Sequence, residues 1–190
     1  PAKEAGGEDL QTVFATRGPA GRRQCQRYKL RPREAFRNFP AEERAARLRT
    51  QTESGHPGAE ATAGLVAYLD DEPVGWCAVE PRDCYPRILR SKVFKAAGPA
   101  VQSPPEDGPE GSVWSVTCFV VAPGHRRSGV AAALLRAAVG HAMDHGAGVV
   151  EGYPVDPEMR PKAGPADLYH GTLKLFLDAG FEVVSDAVPG

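Results

Sequence analysis

The fold of this chain is decided by residues 113–121, VWSVTCFVV, and by the residues that follow Ala122: Pro123-Gly124-His125-Arg126-Arg127-Ser128-Gly129-Val130-Ala131. The first run is almost continuously apolar and β-rich, as expected of a strand buried on both faces. Pro123-Gly124 ends it. Residues 126–145 then carry Val130, Leu134, Ala137, Ala138 and Val139 along one side of a helix, and the alanines permit close contact with a sheet. Gly146 stops that helix, and residues 148–152 (GVVEG) begin a second buried strand. Strand, helix, strand in this order requires a crossover and therefore a parallel pair. Beyond a proline-containing loop, residues 167–178 read as one more helix, with residues 181–184 as a last strand. The expected fold class is α/β (mixed α+β): a single domain built on a central mixed, twisted sheet with helices on both faces.

Upstream, residues 62–69 and 74–79 form a hairpin across Asp70-Asp71-Glu72-Pro73. Residues 1–9 are small and polar. A short helix is expected at 10–15, an extended strand at 22–30 (RRQCQRYKL), a helix at 32–48 and another at 85–97. Residues 98–111 are rich in Pro and Gly and belong to a surface loop. Neither residues 1–60 nor the insertion at 80–111 carries a diagnostic motif.

The chain has 190 residues, with 23 Lys+Arg against 24 Asp+Glu and a net charge of −1. A chain of this length buries about 70% of the surface its unfolded form exposes, enough for a core without metal or disulfide support. The balanced charge argues against a nucleic-acid partner. No apolar run approaches the ~18 residues of a membrane span, and no signal-peptide h-region opens the sequence. Cys25, Cys77, Cys84 and Cys118 lack CxxC spacing, so free thiols in a reducing cytoplasm are expected. His141 and His145 have the four-residue spacing of two zinc ligands, but no HExxH glutamate lies between them, and no metal is expected.

A helix N-terminus leaves backbone N–H groups unpaired and carries partial positive charge, so the 126–131 junction suits an anion. Gly129 and Ala131 remove bulk where a phosphate would approach, and Arg126 and Arg127 add full charges. There is no GxxxxGK[ST] and no GxGxxG, which excludes the common nucleotide loops. Arg126-Arg127-Ser128-Gly129-Val130-Ala131 resembles the [R/Q]-x-x-G-x-[G/A] signature of the GNAT superfamily of acetyl-CoA-dependent N-acetyltransferases. Residues 169–184 (YHGTLKLFLDAGFEVV) are similar to a later block of that family, a helix ending in Gly-Phe.

The resemblance implies two central parallel strands that splay apart to admit the pantetheine arm of acetyl-CoA, the expected co-substrate. Backbone amides of Arg126, Arg127, Ser128, Gly129, Val130 and Ala131 would cradle the pyrophosphate. Phe119, Val120 and Val121 would offer backbone groups to the pantetheine and the thioester oxygen. The implied reaction is acetyl transfer to a primary amine by direct attack in a ternary complex. A larger acyl-CoA donor, or a CoA sensor without turnover, are the alternatives, and a homodimer stays open.

One position departs from the family. Where many members carry a tyrosine acid, this chain has Phe176; Tyr169, two turns earlier on the same expected helix, is the substitute to weigh. For the base the candidates are Glu151, Asp156, Glu80 and Asp83, of which Glu151 leads. Glu80, Asp83, Tyr153 and Asp156 are expected at the acceptor mouth, and the acidic set Glu80, Asp83, Glu151 and Asp156 favours a cationic small molecule. Cys118 is weighed as a nucleophile and is more naturally a core residue. Arg87, Arg90 and Lys92 form a positive cluster that is a solvated face or, if functional, a contact for the CoA 3′-phosphate or an acceptor carboxylate.

Overall fold

The computed structural model describes residues 1–15, 19–60, 62–96, 112–164 and 167–185. Its centre is a sheet in the order β1 (Gly64–Leu69), β2 (Glu72–Pro81), β3 (Ser112–Val121), β4 (Ala147–Gly152). The first three strands pair antiparallel, and β3 pairs β4 in parallel. The hairpin turn is Asp70-Asp71, with φ of 49° and 66°. Two consecutive left-handed residues give the turn whose twist matches its strands, and aspartate tolerates that conformation.

Side chains alternate across the sheet and bury both faces. On one, Leu134, Leu135, Ala138 and Ala142 of α6 (Val130–Asp144) pack against Leu65, Cys77, Val79 and Val116. On the other, Leu10, Val13 and Phe14 of α1 (Gly7–Phe14) and Leu48 of α3 (Ala41–Thr52) pack against Trp76, Ala78, Cys118 and Val120. Among the described residues, no helix is long and apolar enough to cross a membrane.

Several expected elements differ, each for a local reason. Residues 22–30 are not a strand: α2 (Pro19–Arg23) leads into turns in which Gln24 and Cys25 have φ of 48° and 49°. That stretch lacks alternating apolar residues, and its glutamines bond to the backbone instead, Gln24 Nε2 donating to the Gly21 carbonyl at 2.9 Å. The helix expected from residue 32 begins only at Ala41, because Pro40 holds the chain extended before it. The 85–97 helix is broken into α4 (Pro86–Leu89) and α5 (Lys92–Ala96), where Ser91 Oγ accepts the Phe94 amide at 3.0 Å and caps the second piece.

The long helix starts at Val130, not at Arg126, since Arg127 and Gly129 are left-handed. Residues 98–111 lie outside the described residues. The cysteine expectation is also corrected: Cys25 and Cys118 are disulfide-bonded, 93 residues apart, joining the turn after α2 to the central strand. No spacing motif marks such a pair.

The C-terminal region changes most. The helix expected at 167–178 is a 3₁₀ turn (Leu168–His170) and a separate α7 (Leu173–Leu177), divided by Gly171 at φ 81°. Tyr169 and Phe176 therefore do not share a helical face. Residues 181–184 form no strand: the Phe181 amide returns to the Phe176 carbonyl at 3.1 Å around left-handed Gly180, which closes α7.

This region holds β3 and β4 apart. Their pairing runs from Ser112↔Ala147 to Val116↔Gly152 and stops there. Phe176, 2% exposed, lies over Gly152 and Gly171 and meets Phe119 and Phe181 edge-on. Next to it, His170 Nδ1 lies 3.2 Å from the Thr117 carbonyl on β3 and Nε2 lies 3.3 Å from the Tyr28 hydroxyl. A carbonyl only accepts, so Nδ1 carries the proton and Nε2 accepts from Tyr28.

Two predictions follow from this wedge. A Cβ on Gly152 would sit 2.1 Å from Phe176 Cε1, so Gly152→Ala should cost about 1–3 kcal/mol in urea unfolding. Gly152→Ala/Phe176→Leu should recover part of that loss, and an unchanged midpoint in the single variant would show that the ring is not packed there.

Burial first, then the charges of Arg27 and Arg23, lower the His170 pKa from 6.5 to about 4, against the hydrogen bond to Thr117, which raises it. The unfolded chain takes up this proton more readily, so the stability contribution is complete above pH 6.5 and is lost as pH falls toward 4. The loss is on the order of 3 kcal/mol. His141, lowered to about 4 mainly by burial, acts in the same direction. His170→Gln should flatten the dependence of unfolding free energy on pH between 4.5 and 6.5 relative to wild type, because the proton uptake on unfolding at this position is removed. An identical slope would mean that His170 is not held neutral.

Candidate active site

At the start of α6 the first helical amides meet no side-chain cap. Among the described residues no backbone acceptor reaches Val130, Ala131 or Ala132 either. Arg127 (φ 62°) and Gly129 (φ 86°) curl the chain ahead of the helix, and a Cβ at Gly129 would meet nothing within 4 Å. Among the described residues the first helical amides are thus without a protein acceptor, with Arg126 and Arg127 just ahead of them in the chain. Ser128 Oγ donates to the His125 carbonyl at 2.5 Å, which braces the loop. Such a cradle fits a pyrophosphate group.

The open edge of β3 leads away from this loop. The Ala122 amide donates to Val74 on β2 at 2.9 Å, so the Val121 carbonyl, on the same peptide plane, points away from β2 toward the gap. Arg126 Nε approaches that carbonyl at 3.4 Å. Phe119, two residues earlier and in phase, turns its backbone groups to the same edge, whereas Val120 turns its own toward β2 opposite Trp76. The gap therefore offers a row of backbone donors and acceptors of the kind that binds an extended, amide-containing chain.

The carboxylates are less free than their composition suggests. Glu151 on β4 accepts from Ser115 Oγ at 2.6 Å and from the Tyr153 hydroxyl at 2.5 Å, and pairs with Arg82 at 3.2 Å. Glu80 is buried and ion-paired with Lys29; burial pushes its pKa up, and the lysine opposes that rise. Asp156 Oδ1 accepts the Glu158 amide at 2.9 Å in a local turn. Asp83 is exposed. Three of the four residues of the acidic set, Glu80, Glu151 and Asp156, are thus already engaged.

Tyr153 sits directly after the point where the strands part, its ring 6.4 Å from that of Tyr28. Tyr169 stacks on His170 at 3.8 Å under the Arg23 guanidinium. Burial raises the pKa of Tyr28, Tyr153 and Tyr169 alike, so all three hydroxyls stay protonated at neutral pH. Tyr28, Arg82, Ser115 and His170 were not singled out in the sequence. Only His170, beside Tyr169, carried a signal there; the others reach the site from 36 to 142 residues away from their partners.

His141 and His145 pack on Trp114, with ring centroids 5.8 and 5.9 Å away. Cys118 is bonded to Cys25 and is not a free nucleophile.

Residues 26–158 match the family described as Acetyltransferase (GNAT) family. No curated protein sequence matches the chain. Among solved structures, a transcriptional regulator from Bacillus halodurans C-125 is 15% identical with a TM-score of 0.50, covering 98% of this chain and 95% of that one. An aminoglycoside N-acetyltransferase in complex with CoA is 16% identical (TM-score 0.47; 88% and 83% covered). An aminoglycoside 6'-N-acetyltransferase from Acinetobacter haemolyticus is 19% identical (TM-score 0.39; 67% of each chain). At these identities the regulator's likeness concerns the fold alone. The family match spans most of the chain, including β2, the β3–α6 junction and β4, and this chain belongs to the GNAT acetyltransferase family.

Proposed function

We propose that this chain transfers the acetyl group of acetyl-CoA to the primary amine of a small molecule by direct attack in a ternary complex. The observation that carries the reading is the unpaired edge of β3 beyond Val116, which ends at the uncapped start of α6. The amides of residues 126–131 bind the pyrophosphate, and the backbone of Phe119 and Val121 aligns the pantetheine and holds the thioester oxygen as it gains negative charge. When bound, acetyl-CoA supplies an activated acyl group whose C–S bond breaks as the new C–N bond forms.

Glu151 is the proton acceptor, acting through Tyr153. The Tyr153 hydroxyl already donates to Glu151, so it takes the amine proton on its oxygen as its own proton passes to the carboxylate. Ser115 and Arg82 hold Glu151 in position for that relay. No side chain is required as acid, because a thiol with a pKa near ~8.5 leaves readily as thiolate. Tyr169, off the α7 helix and under Arg23, packs the site or positions substrate.

Phe176 favours a second reading, in which the fold binds CoA without turnover: its buried ring fills the place of the usual tyrosine and brings no proton. Release of free CoA thiol on adding amines to the acetyl-CoA complex separates the two. Binding without release for every amine would support the sensor.

Arg126→Ala should weaken CoA binding by ~1.5–3 kcal/mol through loss of a charge-assisted contact. Gly129→Val should weaken it further, since the position is left-handed and faces the phosphate. Calorimetry showing wild-type affinity in both variants would remove the cradle. For the proton path, Glu151→Gln and Tyr153→Phe should each lower kcat, the former by ~10²–10⁴-fold, at unchanged CoA affinity. Tyr169→Phe should stay within about tenfold of wild type, equivalent to ~1.4 kcal/mol. A wild-type pH–rate profile in Tyr153→Phe would place the base elsewhere, and a loss of several hundredfold in Tyr169→Phe would make that tyrosine the acid.

A further inference from the structure

An open depression of about 740 Å³ lies between the segment after Tyr28 and helix α4. Five of its lining residues are arginines, Arg31, Arg33, Arg37, Arg87 and Arg90, against one carboxylate, Glu34. Glu34 is matched elsewhere, by Arg47 at 3.3 Å and by the Arg31 amide at 2.8 Å. Among the described residues none of the five arginines forms an ion pair. Arg90 Nη2 donates to the Leu30 carbonyl at 2.7 Å, which fixes one guanidinium in the wall. Arg31, Arg33, Arg37 and Arg90 are exposed, so solvent and salt screen their mutual repulsion, while an anion entering the depression would meet several guanidinium groups together.

Hydrogen bonds through Tyr28 tie the depression to the end of the gap. The amide of Arg87, one of the lining residues, donates to the Tyr28 carbonyl at 3.2 Å, so Tyr28 sits directly behind that wall. The Tyr28 hydroxyl reaches His170, which is bonded to Thr117 where β3 loses its partner. Arg27 and Arg87 both act electrostatically on that hydroxyl, and Arg23 covers Tyr169 on the same side. The nearby carboxylates Glu80 and Glu151 are neutralised by Lys29 and Arg82. Asp167 also acts on Tyr169 and His170, but Arg23 and Arg27 outnumber it, so the charge on the acceptor side is net positive, the reverse of what the acidic set in the sequence suggests. A polycationic acceptor would have to approach Arg27, Arg87 and Arg90 on that side.

Building on the acetyl-transfer reading, we propose that the arginine-lined depression binds an anionic group of the acceptor, which is a primary amine that also carries a carboxylate or a phosphate. The amine lies at the end of the gap near Tyr28 and Tyr153, and the anion lies among Arg31, Arg87 and Arg90. Planar guanidinium groups suit both oxyanions through paired N–H donors.

The test is calorimetric titration of the CoA-saturated protein, its pyrophosphate site thereby filled, with β-alanine, phosphoethanolamine, ethanolamine and spermidine. At least one of the two anionic amines should bind tenfold or more tightly than ethanolamine and spermidine, and comparison of the two separates carboxylate from phosphate. Arg31→Gln/Arg87→Gln should lose that preference at unchanged CoA affinity. Arg31→Lys/Arg87→Lys, which keeps charge but not the paired donors, should retain part of it and shows that the fold tolerates change at both positions. Equal or tighter binding of ethanolamine or spermidine, no binding of either anionic amine, or an unchanged preference in the Gln variant would each overturn the proposal. Failure of the wild-type protein to bind CoA would instead remove the transferase reading. The four amine titrations repeated without CoA would then still decide the anion site.

Discussion

A central strand that loses its neighbour halfway along is the constraint on which this molecule depends. Backbone N–H and C=O groups inside a sheet must be paired, and β3 leaves its lower edge open from Thr117 onward. The wedge that enforces this is apolar: Phe176 occupies the space over Gly152 that any other residue at 152 would fill. The Val155↔Thr172 bridge then carries the chain after β4 onto a different line. His170 satisfies one exposed carbonyl, and the edge at Phe119 and Val121 remains for an extended ligand. The catalytic reading grows from a deliberate defect in strand pairing, next to a helix start that lacks a side-chain cap.

Phe176 shows how a sequence-level departure takes on meaning in three dimensions. Along the chain it is a missing tyrosine. In the fold it is a spacer whose ring contacts Gly152, Gly171, Phe119 and Phe181. The position expected to carry a proton here carries packing, and in the proposed reaction proton movement falls to Tyr153 with Glu151 and to the acidity of the thiol itself.

The elements legible in the sequence were those specified by near neighbours. The β1–β2 hairpin, β3, α6 and β4 follow from apolar periodicity and from punctuation by Asp70-Asp71, Pro123-Gly124 and Gly146, all within a few residues. What could not be read depends on partners far along the chain. Residues 22–30 look extended because the pattern does not show Gln24 folding back on Gly21 or Cys25 reaching Cys118. The acidic set looked like a cationic acceptor's mouth because composition does not show that Lys29 faces Glu80 or that Arg82 faces Glu151. Tyr28 stands in an undiagnostic segment, yet it connects the arginine-lined depression to His170 and the gap.

The most direct measurement is a crystal structure of the protein with acetyl-CoA. The expected result places the pyrophosphate within hydrogen-bond distance of amides in residues 126–131. It also places the pantetheine along Phe119 and Val121, with β3 and β4 parted beyond Val116 and Gly152. An acetyl-CoA bound away from that edge, or a sheet in which β3 and β4 pair past Gly152 and exclude the pantetheine, would contradict the proposed site.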